Sequence, residues 1–584
     1  MTHSKQTADG KVRVKFKRWY ILLLNLLLIP DSMANNSSYR TVYAFAREMY
    51  PRNIKAHLQY GTAGFRTKAT DLDHVMYRMG LLAVLRARYK KAVIGVMITA
   101  SHNPEPDNGV KLVDPFGEML EQSWEAWATK FANVVDDKLE DTINELIKEY
   151  NITNMNDRVE ILVGKDTRPS SIHLSKAVMD GVLALSGKPI DYGIVTTPQL
   201  HYFVVCKNTN RLYGQPTEEG YYRKLTNAFK KYRGSVFSQG NYVNRVIYDG
   251  ANGVGAKKVK YLKEALRDTL LIEMYNDEII GSGKLNHLCG ADYVKSQQSF
   301  PTGLPVETNV RCCSVDGDAD RIVYYYMDEN NKFHLMDGDR IATLAASYLK
   351  EILLDIGIDL NLGLVQTAYA NGASTEYIST KLNVPVACVS TGVKHLHHKA
   401  LTYDIGVYFE ANGHGTVVFS NNAKEKLISA TESDSCTEKQ KQASKRLLTL
   451  IDIINETVGD AIADMLLVET ILHAKGWNIS QWEACYTDLP NRLLKVTVKD
   501  RNVITTTDAE RICVTPNGLQ DAINSLVVKY DKGRSFVRPS GTEDIIRVYA
   551  EAATRKEADK LAAEVALKVY ELAGGIGTAP EVPQ

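Results

Sequence analysis

The chain has 584 residues, too many for one hydrophobic core, and its length implies roughly three to five domains. Apolar residues make up 44% and charged residues 24%, which excludes a disordered or collagen-like chain. The 70 Lys and Arg nearly cancel the 69 Asp and Glu, so the balance does not favour a nucleic-acid or anionic-membrane partner and leaves room only for a local basic patch around a small anion.

Eight cysteines are too sparse for a disulfide framework: Cys312–Cys313 is the one close pair, and no Cys-x-x-Cys occurs. They read as buried thiols, which suits a reducing compartment. The N-terminus pulls the other way. Lys11, Arg13, Lys15, Lys17 and Arg18 precede the apolar run Trp19–Ile29, broken by Asn25, and then come Pro30 and Ser32-Met33-Ala34. That is the anatomy of a secretory signal peptide, and the run is short of the ~20 residues a membrane-spanning helix needs. Met33-Ala34-Asn35-Asn36 also offers an alternative start. Residues 1–34 are expected to be a leader, either an alternative or disposable start or a working signal. The expected location is cytoplasmic, with secretory entry as the alternative, and no membrane partner is expected for the mature chain.

From Tyr39 onward, apolar runs of strand length alternate with helical patterns. Helical spacing over Asp71–Tyr89 precedes the strand-like Val93–Thr99; Glu160–Val163 precedes a helix over Ser175–Leu185. Arg245–Tyr248, Leu362–Gln366 and Ile405–Phe409 are further strands, followed by a polar passage Asn421–Lys445 and apolar-periodic Leu447–Ile454 and Ala461–Leu472. Beyond Trp482 the pattern changes to Leu493–Val498, then Phe536–Ala552, then a charged helix Arg555–Leu572, which predicts a small separate α+β domain. Strands alternating with helices predict an α/β fold, with ligands gathered at loops beyond the strand ends. The expected domains are 35–205, 206–308, 309–482 and 483–584.

Five groups of loops are candidates for chemistry. Thr99-Ala100-Ser101-His102-Asn103-Pro104 presents a serine at the end of a buried strand, and Asp107–Lys111 adds a glycine turn and a cation able to fold back on it. Serine needs such a neighbour to act as a nucleophile; alone, the stretch also reads as a capping turn. Asp316-Gly317-Asp318-Ala319-Asp320-Arg321 places three carboxylates at alternating positions, a set suited to a hard divalent cation, though its spacing is not that of an EF-hand. Glu410-Ala411-Asn412-Gly413-His414-Gly415 combines a carboxylate and an amide, suited to vicinal hydroxyls, with a histidine able to exchange a proton; a structural turn is the alternative. Arg538-Pro539-Ser540-Gly541-Thr542-Glu543 reads as an anion nest. Gly61–Arg66 and Thr391-Gly392-Val393-Lys394-His395 each couple glycines to a cation. The histidines around His397 and His398 match no standard zinc spacing.

One serine, one acidic loop, one polar turn and one phosphate nest are the inventory for moving phosphate on a phosphorylated sugar. The stretches TASHNPEPDNGVKL, VDGDADR, EANGHG and FVRPSGTED resemble the signature loops of the α-D-phosphohexomutase superfamily, over roughly residues 39–575. Their wording is nearest to the eukaryotic branch that works on N-acetylglucosamine phosphate, TGVKHLHHKA and YTDLPNR included. The resemblance implies four domains around a central cleft: three related α/β domains with mixed sheets and a smaller, mobile α+β domain. It implies an intramolecular phosphotransferase interconverting N-acetylglucosamine 6-phosphate and 1-phosphate through a phosphoserine and a 1,6-bisphosphate, feeding UDP-N-acetylglucosamine synthesis.

By the same resemblance Ser101 is the phosphoserine, and Asp316, Asp318 and Asp320 hold one Mg²⁺ together with it. Arg66, His102 and Lys111 stand with the serine among the catalytic residues. Glu410, Asn412, Gly413 and His414, with Thr391 and Gly392, meet the sugar; Arg538, Ser540, Gly541, Thr542 and Arg547 grip the phosphate that is not reacting. His414 and Lys111 are the candidates for the general base. The partner is a small sugar phosphate. The rivals are a sister mutase for glucose, mannose or glucosamine phosphate, a metal-dependent phosphatase, and a non-catalytic sugar-phosphate sensor.

Overall fold

The computed structural model describes residues 48–234, 239–278, 284–541 and 543–583. The signal-like stretch 11–34 and Thr542 lie outside the described residues. No helix among the described residues is long and apolar enough to cross a membrane.

Four main sheets follow one another along the chain. The first contains β1 (Phe65–Lys68), β2 (Ile94–Ile98), β3 (Asp107–Val113), β4 (Glu160–Lys165) and β5 (Lys188–Ile194) in the order β1-β3-β2-β4-β5. Strands β2, β4 and β5 run parallel, while β3 is antiparallel to both β1 and β2. All five residues of β2 are buried, because the strand is central and covered on both faces. Its helices include α1 (Asp73–Lys90), α2 (Gln122–Asn133), α3 (Ser171–Ala184) and α4 (Thr197–Asn208).

After α5 (Glu218–Arg233), the second sheet has β6 (Arg245–Asp249), β7 (Leu271–Tyr275), β8 (Cys312–Val315), β9 (Ile322–Met327) and β10 (Phe333–Met336), ordered β10-β9-β8-β6-β7. The third, after α6 (Gly338–Ile356), has β11 (Leu362–Thr367), β12 (Val386–Val389), β13 (Ile405–Phe409) and β14 (Gly415–Phe419), ordered β12-β11-β13-β14, with α7 (Val393–Ala400) between β12 and β13. Both are mixed sheets. After α8 (Ala461–Lys475) the fourth is wholly antiparallel. It joins β15 (Asn491–Thr497) to β18 (Arg534–Pro539) and β19 (Ile545–Glu551) in the order β15-β19-β18, with a separate hairpin of β16 (Thr505–Thr507) and β17 (Ile512–Thr515); α9 (Arg555–Leu572) follows.

The expected junctions meet this topology unevenly. Residue 205 falls inside α4, and residue 308 falls between β7 and β8, strands that both flank β6 in one hydrogen-bonded sheet. The aspartate loop between β8 and β9 therefore belongs to the second sheet rather than the third. Trp482 is buried in a core that runs from Met97 through the second and third sheets, whereas Val496 to Ala573 form a core of their own. The last unit touches the third through a small cluster of Ala368, Phe536 and Tyr549.

Candidate active site

Ser101 stands three residues beyond β2 with a φ of 53°, in the left-handed region that non-glycine residues enter at a cost. Its own N–H donates to Thr99 Oγ1 at 2.9 Å. Its carbonyl accepts from Arg168 Nη2 at 3.2 Å and Asn286 Nδ2 at 2.9 Å, and the same two side chains donate to the Asn103 carbonyl at 2.6 and 3.1 Å. Arg168 is itself paired with Asp166. The serine loop is thus clamped from the first sheet and from the second. Ser101 is fully buried, and its Oγ donates to Asp316 Oδ2 at 2.6 Å.

The aspartate loop turns tightly because Asp316 Oδ1 accepts from the N–H groups of Asp320 and Arg321, at 3.1 and 3.3 Å. It passes so close to the serine that a Cβ on Gly317 would lie 2.6 Å from the Ser101 carbonyl oxygen. Asp316, Asp318 and Asp320 are buried, with one oxygen from each within 4.8 Å of the others. Thr197 Oγ1, at the first turn of α4, donates to Asp318 Oδ2 at 2.6 Å, and Lys111 Nζ, on β3, donates to Asp318 Oδ2 at 3.3 Å and Asp320 Oδ2 at 3.0 Å. Arg321 Nε is 3.9 Å from Asp316 Oδ2 and 3.8 Å from Asp320 Oδ1. Asp318 Oδ1 and Asp320 Oδ1 are buried and accept no hydrogen bond from the described residues.

Burial, with repulsion from Asp320 and Asp318, holds the Asp316 carboxyl well above the usual carboxylate range. Burial also opposes the charge on Asp320, but Lys111 and His414 beside it outweigh this and hold it well below that range. For Lys111, burial works against the ammonium and the charges of Asp318 and Asp320 prevail, so its pKa is raised. The cation of Arg321, then burial and Arg66, depress the His102 imidazole far below its ordinary value. Arg66, on β1 opposite Gly109 of β3, is itself lowered by burial and by Arg321. The site therefore opposes three carboxylates with a cluster of three cations, Arg66, Lys111 and Arg321.

The polar turn joins β13 to β14. Glu410 N–H donates to the His414 carbonyl and Gly413 N–H to the Glu410 carbonyl, both at 2.9 Å. Glu410 accepts from Gly392 N at 3.1 Å and Asn412 Nδ2 at 3.2 Å. Gly413 has a φ of 87°, and a Cβ there would fall 1.9 Å from the Ile322 carbonyl oxygen. This contact pins the turn against the start of β9, so His414 Nδ1 lies 3.3 Å from Asp320 Oδ1, beside the aspartate loop as well as in the turn expected to meet the sugar. His414 Nε2 is buried without a hydrogen-bond partner among the described residues.

In the nest, Arg538 on β18 faces Arg547 on β19, and Ser540 N–H donates to the Ile545 carbonyl at 2.8 Å. Gly541 is exposed. Arg538 Nε donates to Glu510 Oε1 at 2.8 Å, and Thr391 of the third unit donates to Glu510 Oε2. Lys394 is buried against Glu125 of α2 at 2.6 Å, which links the first and third units. His397 Nδ1 lies 3.0 Å from Tyr408 Oη, a structural contact.

Family models match four successive pieces of the chain. They are phosphoglucomutase/phosphomannomutase alpha/beta/alpha domain I over 76–137 and 137–211, phosphoacetylglucosamine mutase AMG1 domain II over 214–323 and domain III over 337–477, and the phosphoglucomutase/phosphomannomutase C-terminal domain over 493–568. The chain is 56% identical over 524 residues to the phosphoacetylglucosamine mutase of Homo sapiens, covering 90% of this chain and 96% of that protein. The chain belongs to the phosphoacetylglucosamine mutase family.

Another family member, the phosphoacetylglucosamine mutase of Candida albicans, is 44% identical over 532 residues, covering 88% of this chain and 97% of that one. The crystal structure of Aspergillus fumigatus N-acetylphosphoglucosamine mutase, in complex with GlcNAc-6P and magnesium, superposes with a TM-score of 0.87 at 49% identity, covering 92% of this chain and all of that one. A variant of that enzyme in complex with glucose 1,6-bisphosphate matches equally, with the same TM-score, identity and coverage. The four-unit architecture described above is that of the phosphoacetylglucosamine mutase family.

Sequence reasoning missed Thr197, Arg168, Asn286 and Glu510, and it gave Arg321 no role although it lies in the aspartate motif. Thr197-Pro198 carried a signal as the opening of a helix, with a capping threonine before it. The other three reach the site only through contacts between distant segments.

Proposed function

We propose that this chain interconverts N-acetylglucosamine 6-phosphate and N-acetylglucosamine 1-phosphate, with Ser101 as the phosphoryl carrier and the 1,6-bisphosphate as intermediate. The observation that carries this reading is the buried Ser101 Oγ, 2.6 Å from the first carboxylate of a three-aspartate cluster. An all-oxygen set in which Asp318 Oδ1 is buried and accepts no hydrogen bond from the described residues fits a hard divalent cation, so Asp316, Asp318 and Asp320 would hold Mg²⁺ beside Ser101. When bound, Mg²⁺ supplies positive charge to the oxygens of the phosphoryl group.

The chain's own residues do the rest. In phosphoserine 101 the Oγ–P bond breaks as a new O–P bond forms at the sugar hydroxyl, and the return step reverses this with the other phosphate. Arg66, Lys111 and Arg321 spread the negative charge that accumulates between them. Lys111 Nζ, already donating to two carboxylates, serves as a fixed charge. His414 Nε2, without a hydrogen-bond partner among the described residues, is the atom that takes the hydroxyl proton and returns it. Glu410 and Asn412 orient the sugar, and Arg538, Ser540, Gly541, Thr542 and Arg547 hold the idle phosphate.

Sheet pairing favours domain junctions after α4, after β10 and ahead of β15. Eight free cysteines, most of them buried, favour a cytoplasmic setting. The test is a coupled assay on N-acetylglucosamine 6-phosphate with Mg²⁺ and a trace of the 1,6-bisphosphate, run beside glucose 6-phosphate. Preferential formation of N-acetylglucosamine 1-phosphate is expected. Preference for glucose 6-phosphate would move the substrate to a sister branch, and phosphate release without isomerisation would replace the mutase by a phosphatase.

A further inference from the structure

The hairpin β16–β17 stands apart from the last main sheet, and its tip is built unusually. Asp508, Ala509 and Glu510 have φ values of 51°, 55° and 67°, three consecutive non-glycine residues in the left-handed region. Such a run persists only where surrounding contacts over-determine it, and strained segments of this kind cluster at working sites. Arg511 braces the tip, with Nη2 donating to Asp508 Oδ1 at 2.7 Å and its N–H to the Asp508 carbonyl at 3.2 Å.

The tip delivers the Glu510 carboxylate between two units. Oε1 accepts from Arg538 Nε at 2.8 Å; Oε2 accepts from both Thr391 N at 2.9 Å and Thr391 Oγ1 at 2.5 Å. Both donors belong to residues already assigned to the substrate, Arg538 to the phosphate and Thr391 to the sugar. The next residue, Gly392, donates its N–H to Glu410 at 3.1 Å. One unbroken path therefore runs from the phosphate nest through Glu510 and the Thr391–Gly392 loop to the polar turn.

We propose that Glu510 is a positioning residue that couples the phosphate grip of the last domain to the sugar-binding turn of the third; this rests on the mutase reading above. The carboxylate fixes the Arg538 guanidinium at Nε and holds the Thr391–Gly392 loop in register with Glu410. A phosphate bound by Arg538 and a sugar bound at Glu410 then meet a cleft whose two halves are already aligned, and the alignment cost is met before substrate arrives.

The test is Glu510→Gln, which keeps the size of the side chain but replaces one acceptor oxygen by an NH2 donor, so either Arg538 Nε or the Thr391 N–H loses its acceptor. The loss of a charge-assisted hydrogen bond is expected to raise KM for N-acetylglucosamine 6-phosphate about 10- to 100-fold, with a much smaller change in kcat. Thr391→Val, which deletes Oγ1 from the same contact, is expected to raise KM by a smaller factor in the Glu510→Gln background than in the parent. An unchanged or lower KM, a loss confined to kcat, or strictly additive effects would overturn the proposal. The parent's rate separates the two claims: a parent that fails to isomerise the sugar phosphate refutes the mutase reading, and an active parent matched by Glu510→Gln refutes the positioning role alone.

Discussion

Thr197→Val isolates a neutral side chain that braces the aspartate cluster at Asp318. Thr197 is 1% exposed and Asp318 is fully buried, and their hydrogen bond is 2.6 Å. Valine fills the same volume, and helix α4 keeps its start, because the capping box is built by Thr196 and Gln199. The Thr197 N–H also keeps its 3.2 Å bond to the Asp318 carbonyl. What is lost is one hydroxyl on one carboxylate oxygen, after which Lys111 Nζ at 3.3 Å remains beside that oxygen. A hydrogen bond to a buried charge is worth about 1.5–3 kcal/mol, and removing a partner of a metal-binding side chain lowers metal affinity about 10- to 100-fold; the two scales agree at about 2 kcal/mol. The assay is a Mg²⁺ titration of the isomerisation rate at saturating sugar phosphate, beside a Mg²⁺-dependent thermal shift. The half-saturating Mg²⁺ concentration is expected to rise about 30-fold, with a rate at saturating Mg²⁺ near the parent's. A folded variant with unchanged Mg²⁺ dependence in both measurements would refute Asp318 as a ligand braced by Thr197.

Gly413→Ala forces a Cβ to within 1.9 Å of the Ile322 carbonyl at a φ of 87°, so the polar turn must shift. Stability is expected to fall by about 2 kcal/mol or more, read in a denaturant melt, together with a higher KM; an unchanged melt would contradict the pinning of the turn to β9. Burial pushes His74 and His397 each down to about 4, against an ordinary value of 6.5. The unfolded chain therefore binds more protons than the folded one between pH 6.5 and 4, and stability is expected to fall as pH drops through that window, with a slope approaching about 1.4 kcal/mol per pH unit for each histidine. Replacing either by a neutral residue of similar size is expected to flatten the slope of a pH-resolved denaturant series.

Much of the site is legible where its signal is local. The aspartate loop stands out because alternating carboxylates are set directly against the apolar β9. Ser101 stands out because a loop with a nucleophile follows an uninterrupted buried strand. What stayed hidden depends on pairs far apart in the chain. Ser101 and Asp316 are 215 residues apart, and Thr197 and Asp318 are 121 apart, so no spacing rule connects them. Glu510 lies in a short hairpin that carries no motif of its own, and only the fold brings it to Thr391 and Arg538. The junction expected near residue 308 is set just ahead of the strand that leads into the aspartate loop, whereas the pairing of that strand, β8, with β6 is a long-range event that leaves no mark on the sequence between them. His414 was legible as a proton carrier, but its approach to Asp320 depends on the contact of Gly413 with Ile322.

The central claim is that Ser101 carries the phosphoryl group. The most direct measurement is to incubate the enzyme with ³²P-labelled sugar 1,6-bisphosphate and Mg²⁺, digest it, and locate the label. Label is expected on the peptide containing Ser101, with its discharge on adding N-acetylglucosamine 6-phosphate and loss of both labelling and isomerisation in Ser101→Ala. An isomerising enzyme that carries no label at Ser101, or a fully active Ser101→Ala variant, would contradict it.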